Sequence, residues 1–275
     1  MSRKIRVLGI QFTPELGNKT ANFKKVEYLI ESNSWFKPDL IVLPEVFNTG
    51  AGHNQLQALA EFIPEGATAE KLSSLASKYG ANIVAGSYIE RCPDEKFRNT
   101  SLIIDRSGNI TGKYHKIHMF SYYGCEEGKY ISPGDFITVV ETDIGKIGLS
   151  ICYDLRFPEL YRALTYAGAE IIVCPAAWPY PRLEHWVTLN KARAIENLVY
   201  MISINQVGTA GNSRINLGHS MIINPWGDIV TSASSSEGVM IAEIDLDMLR
   251  KTREEFPVLN DRNIAAYENL AVSIE

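Results

Sequence analysis

A chain of 275 residues, 45% hydrophobic and 21% charged, suits one large α/β domain over residues 1–275 better than two small ones. Its formal net charge of −5, without a basic run for phosphate contacts, argues against a nucleic-acid partner. No apolar stretch reaches the roughly 18 to 20 residues that cross a bilayer, and MSRKIRVLGIQF enters a strand too early for a signal peptide, so a cytoplasmic protein without a membrane partner is expected.

In chain order, KIRVLGIQF (4–12) reads as a strand, NKTANFKKVEYLIESNS (18–34) as a helix and DLIVLPE (39–45) as a strand. TAEKLSSLASKYG (68–80) is the next helix and NIVAGSYIE (82–90) the next strand, followed by a hairpin turning at Ser107-Gly108-Asn109. The order then repeats. GKIGLSICY (145–153) is a strand, and a helix starts at Pro158 with Leu160, Leu164 and Ala167 at helical spacing. EIIVCPA (170–176) is a strand, 184–198 a helix and VYMISINQVG (199–208) a strand, with further strands at HSMIINP and VMIAEID. The strands are Ile/Val-rich without clean alternation, which implies that both faces are covered. Two mixed sheets packed face to face with helices outside satisfy this: a four-layer α-β-β-α sandwich with an internal pseudo-repeat and no linker between the halves.

Four cysteines, at 92, 125, 152 and 174, show no CxxC or paired metal spacing, so free thiols and no metal site are expected. Cys152 stands out because GLSICYDLRFPE places it at a strand-to-helix bend, near the positive end of the following helix, where a thiolate is favoured. Cysteine is also a common core residue, so on position alone the structural reading is as good. A nucleophile needs a base and an oxyanion partner. Glu45, at the end of DLIVLPE, is placed where desolvation turns a carboxylate into a usable base, and Lys116, in GKYHKIHMF, is a cation able to hold an oxyanion. Taken singly, each is more often a surface charge.

Together, LPE (43–45), YHKIHMF (114–120) and GLSICYDLRFPE (148–159) resemble the three signature segments of the nitrilase, or carbon–nitrogen hydrolase, superfamily. The resemblance implies a Glu45, Lys116 and Cys152 triad. It adds Glu127, placed in register by SPGD within EEGKYISPGD (126–135), as a second glutamate that orients the lysine or the substrate nitrogen. It also implies an oxyanion contact from the Tyr153 backbone N–H, no metal or organic cofactor, and at least a homodimer in which residues from about 245 to 275 take part.

Competing readings are weaker. Ser150 lacks the G-x-S-x-G context of a serine hydrolase, a Cys-His protease is unnecessary where Glu45 serves as base, and an intact triad argues against an inactive binding module. Cys174 reads as a packed neighbour and His219 as a structural hydrogen-bonder. PYPRLEHW (179–186), with CYDLRFPE and NPWG, resembles the ω-amidase branch, whose substrates are ω-amides of dicarboxylic acids such as 2-oxoglutaramate. An arginine fork suits the retained carboxylate, which makes Arg182 the substrate-binding candidate. Hydrolysis of N-carbamoyl amines or other aliphatic amides is the alternative, and nitrile hydrolysis ranks lower.

Overall fold

The computed structural model describes residues 4–50, 55–210 and 214–268. The first half runs β1 (Lys4–Gln11), α1 (Lys19–Ser32), β2 (Leu40–Val42), α2 (Ala67–Tyr79), β3 (Asn82–Val84), β4 (Tyr88–Arg91), β5 (Phe97–Ile104) and β6 (Ile110–His115). A short helix, α3 (Glu127–Tyr130), separates it from the second half. That half runs β7 (Val139–Thr142), β8 (Gly145–Leu149), α4 (Pro158–Tyr166), β9 (Ile171–Ala176), α5 (Leu183–Asn197) and β10 (Tyr200–Asn205). β11 (Val207–Ala210), β12 (Arg214–Leu217), β13 (Met221–Ile223), β14 (Ile229–Ser232), β15 (Gly238–Asp245), α6 (Leu246–Glu255) and α7 (Ile264–Glu268) follow.

The strands form a 7-stranded sheet, β15-β1-β2-β3-β5-β4 with β6 beside β5, and a 6-stranded sheet, β14-β13-β10-β9-β8-β7. Each is built on three parallel strands, β1-β2-β3 in one and β8-β9-β10 in the other, flanked by antiparallel neighbours. This is the predicted pseudo-repeat and the predicted α/β sandwich. The side-chain period of a strand explains the layering. Ile5 and Val7 of β1 point into the core shared with the second sheet, whereas Leu8 and Ile10 point to the other face, against Phe23, Val26 and Ile30 of α1. At Gly9 the two sheets approach closely: a Cβ there would run into Ile204 Cδ1 of β10. On the far side of the second sheet, the Leu160 and Leu164 face of α4 and Trp186 and Ala194 of α5 join the core.

Several boundaries differ from the expectations. Residues 82–90 form two strands, because Gly86 adopts φ +58 and its backbone lies against Pro44 O, leaving no space for a Cβ. Residues 199–208 likewise divide between β10, in the second sheet, and β11, which pairs with β12 in a separate ribbon. Strand β8 stops at Leu149 instead of reaching Tyr153, and α4 ends at Tyr166, leaving Ala167 exposed beyond it. Strands β7, β12 and β14 were not anticipated. Residues 1–3, 51–54, 211–213 and 269–275 lie outside the described residues, so the whole extent of the expected 1–275 domain, and the end of the 245–275 segment, are not covered. Among the described residues no helix is long and apolar enough to cross a membrane.

Candidate active site

The ends of β2, β6, β8 and β9 converge on one cavity, which Glu45, Lys116, Glu127, Cys152, Tyr153 and Arg182 all line. The sequence-derived candidates, drawn from positions up to 137 residues apart, are thus brought together. Past β8 the chain stays extended to Ile151 and turns sharply at Cys152, whose φ of 47 is in the left-handed region, before a short 3-10 turn over 152–156 and Pro158 at the start of α4. A non-glycine residue held there is strained, and such strain is commonly kept where a side chain must project into a site.

The charges form a buried cluster. Lys116 is 2% exposed, which rules out the solvated-loop reading. Its Nζ donates at 2.9 Å to Glu45 Oε1 and at 2.9 Å to each oxygen of Glu127. Burial works against the lysine charge, but the Glu127 and Glu45 carboxylates outweigh it and hold the ammonium well above its ordinary pKa. Glu127 Oε2 also accepts from the Phe120 backbone N–H at 2.8 Å, and Glu45 Oε2 from that of Ala177 at 2.8 Å. The Ala177 N–H faces the Cys152 sulfur as well. Burial, and then the Glu45 charge, push the Cys152 thiol well above its usual pKa against the pull of Lys116. Desolvation and the neighbouring carboxylate thus act against the thiolate-favouring pull expected from the helix end.

Asp154, fully buried, ties the elbow to the lysine segment. It accepts from Tyr114 Oη at 2.7 Å, from the His118 N–H at 3.0 Å, from His118 Nδ1 at 2.7 Å and from the Ile151 N–H at 2.9 Å. The other sequence candidates stay outside the chemistry. Ser150 Oγ is buried in a 2.8 Å contact with Tyr161 Oη. Cys174 is packed in the core with its thiol pushed up to about 12 by burial. His219 bonds through its backbone, its carbonyl accepting from Trp186 Nε1 at 2.7 Å.

Arg182 lies over Tyr123, its Cζ 4.8 Å from the ring centroid, and over Phe120 at 5.5 Å. Two further arginines of the cavity went unassigned in the sequence. Arg156 stacks on Trp178 at 4.8 Å, and Arg214 donates to the Tyr123 carbonyl at 2.7 Å. Burial, together with the nearby Arg182 charge, lowers the Arg156 pKa. Adjacent guanidinium groups of this kind form a receptor for an anion. Asn99 was also missed. Its Nδ2 is 2.9 Å from Glu45 Oε1 and 3.4 Å from Glu127 Oε1. Within FRNTSLII it reads as an ordinary strand residue, and only the sequence position of Arg156, inside CYDLRFPE, offered a signal.

The profile described as carbon-nitrogen hydrolase matches residues 6–254. A 2-oxoglutaramate amidase of Bacillus subtilis is 39% identical over 92% of this chain and 95% of its own. A deaminated glutathione amidase of Dictyostelium discoideum is 34% identical over 98% of this chain and 97% of its own. Among solved structures, Saccharomyces cerevisiae Nit3, described as a member of branch 10 of the nitrilase superfamily, superposes with a TM-score of 0.87 at 31% identity, covering 94% of this chain and 96% of that one. With the sandwich, the buried charge cluster and the strained cysteine elbow in place, the chain belongs to the carbon–nitrogen hydrolase family.

Proposed function

We propose that this protein is a cysteine-dependent amidase that releases ammonia from the ω-amide of a small dicarboxylic acid, with 2-oxoglutaramate as the leading substrate. The observation that carries it is the joining of a cysteine elbow and a Glu-Lys-Glu cluster to an arginine-lined mouth in one cavity. The names of the relatives point the same way.

In this mechanism Glu45 takes the Cys152 thiol proton as the sulfur attacks the amide carbonyl carbon. Burial and the Glu45 charge push the thiol pKa up, so in this mechanism proton transfer to Glu45 accompanies attack. The carbonyl π electrons move to oxygen, where the Lys116 ammonium and the Tyr153 backbone N–H meet the charge. Collapse breaks the C–N bond, and Glu45 passes its proton to the leaving nitrogen, giving ammonia and a thioester. Water then attacks the thioester while Glu45 takes a water proton. When the tetrahedral intermediate collapses, the proton returns to sulfur and the acid departs. Glu127, by holding Lys116 through both oxygens, orients the oxyanion donor. The Arg182, Arg156 and Arg214 guanidiniums receive the distal carboxylate. Ammonia release from a panel of ω-amide acids, neutral short amides, deaminated glutathione, N-carbamoyl amines and nitriles tests the reading. The ω-amide acids are expected to lead in kcat/KM, and preference for neutral amides or carbamoyl amines would overturn the assignment.

We also propose that the chain is at least a homodimer. Ile195, Trp226 and Phe256 are exposed, and Trp226 stacks on Phe256 at 6.0 Å. Tyr166 is also exposed, and its hydroxyl donates to Leu259 O at 2.8 Å. Exposed apolar side chains on α4, α5, the β13–β14 turn and the segment after α6 fit a self-complementary interface. Light scattering at micromolar concentration is expected to give at least twice the monomer mass, and a monomer mass would refute it.

A further inference from the structure

Asn99 and Lys116 are delivered by one hairpin: the Lys116 N–H donates to the Asn99 carbonyl at 2.9 Å, just beyond the β5–β6 ladder. Their side chains then converge on the same acceptors. Lys116 Nζ and Asn99 Nδ2 both reach Glu45 Oε1, each at 2.9 Å, and both approach Glu127 Oε1. Glu127 Oε2 is occupied by Lys116 and by the Phe120 N–H. Counting donors among the described residues, Glu45 Oε2 is the one carboxylate oxygen of the cluster that meets a single donor, the Ala177 N–H that also faces the Cys152 sulfur. A carboxylate oxygen has room for further hydrogen bonds, so this is the oxygen left able to take the thiol proton.

The Asn99 carboxamide is buried, and its Oδ1 has no hydrogen-bond partner among the described residues. Turned the other way, it would set that oxygen against two carboxylate oxygens. The nitrogen end is therefore fixed by the glutamates, although an acceptor is left unpaired at a cost. We propose that Asn99 is a positioning residue for the base: it locks Glu45 with Oε1 turned away from the nucleophile and Oε2 toward it, and stabilises the ionised carboxylate. The proposal rests on the reading of Glu45 as the base. The charged and titratable groups around Glu45 are Lys116, Glu127 and Cys152, so removing a neutral donor leaves the local charge unchanged and isolates the effect of the hydrogen bond.

The test follows the pH dependence of Cys152 alkylation by iodoacetamide and of kcat/KM for a simple amide, in wild type and in Asn99→Leu, Asn99→Asp and Glu45→Gln, with thermal unfolding as the check on the fold. A carboxylate that loses a donor is ionised less readily. The acid limb is expected to move up by about one pH unit in Asn99→Leu, and kcat to fall roughly tenfold, while KM changes less than twofold. Asn99→Asp, of the same shape but placing a third acid beside Glu45 Oε1, should move the limb at least as far. Folded variants with an unmoved limb would overturn the role of Asn99. So would loss of the fold in both, since the side chain would then serve the sandwich. If alkylation in Glu45→Gln matched wild type, the base assignment itself would fall, an outcome independent of either Asn99 variant.

Discussion

The two halves of the sandwich carry the same strand motif with different ends. Ile41-Val42-Leu43-Pro44-Glu45 in β2 and its continuation corresponds to Ile172-Val173-Cys174-Pro175-Ala176 in β9. Register extends the match: Gly9 pairs with Val42 in one sheet and Leu149 with Val173 in the other, so three residues on, Phe12 corresponds to Cys152. At that position the first half packs a fully buried phenyl ring near α1, whereas the second places a thiol at a left-handed elbow. The division of labour follows. Residues of the first half and of the segment before β7 supply the buried donors and acceptors, Glu45, Asn99, Lys116 and Glu127. The second half supplies the sulfur, the Ala177 N–H and the arginines. The proposed base and the proposed nucleophile thus come from different halves, and the proposed chemistry takes place where the two sheets meet.

The sharpest way to break that comparison is to substitute the corresponding positions. Cys152→Ala is expected to abolish ammonia release, with at least a hundredfold loss, while the unfolding temperature stays within a few degrees of wild type. Phe12→Ala should do the opposite. Emptying a buried ring position costs about 3–5 kcal/mol of stability, yet the protein that remains folded should keep its activity per alkylatable Cys152. Turnover and unfolding measured on both variants check this; activity above a tenth of wild type in Cys152→Ala would exclude the thioester route.

A second cut is Asp154, which corresponds to Pro14 in the first half and has no counterpart there. Asparagine keeps one acceptor oxygen but turns an amide toward two of the four donors that now meet the carboxylate. Unpaired buried donors cost about 1–3 kcal/mol each, and here they lie between the segment of Lys116 and the elbow of Cys152. Asp154→Asn is expected to lower kcat roughly ten- to hundredfold and the unfolding temperature by several degrees, with KM nearly unchanged. Unaltered kcat would show that the elbow is held without it.

The parallel strand cores of both halves and the helices over them were legible because Ile/Val runs and 3.6-residue spacing are local signals. What escaped depended on partners distant in sequence. β7, half-buried at the sheet edge, has little apolar contrast, and Gly86 breaks its strand because of the approach of Pro44, which local spacing does not encode. Glu45, Lys116, Glu127 and Cys152 were found through segments whose order matches a family. Asn99 was not, because a strand asparagine gains its meaning from the carboxylates it meets 54 and 28 positions away. The electrostatics of Cys152 were legible only in part for a similar reason: the helix end is visible in the sequence, but the desolvation that acts against it is a property of the packed site.

The smallest and most selective test concerns the arginines contributed by the second half. Arg182 opens α5 and is held over Tyr123 and Phe120, so its guanidinium is placed by stacking and remains able to form a fork with an anion. If it grips the distal carboxylate, Arg182→Ala should reduce kcat/KM for an ω-amide acid while a neutral amide of similar length is hydrolysed about as before. A hydrogen-bonded charge pair of this type is worth about 1.5–3 kcal/mol, which corresponds to a tenfold to hundredfold loss on the acid alone. Arg156, stacked on Trp178 in the elbow segment, provides the control within the same cavity. Should Arg182→Ala leave both substrates untouched while Arg156→Ala penalises the acid, the carboxylate contact moves to the elbow. A fall on both substrates in Arg182→Ala would instead mean that the loop between β9 and α5 shapes the mouth without reading charge. Selective loss in Arg182→Ala places the recognition of the acid in the half that carries the nucleophile, opposite the half that carries the base.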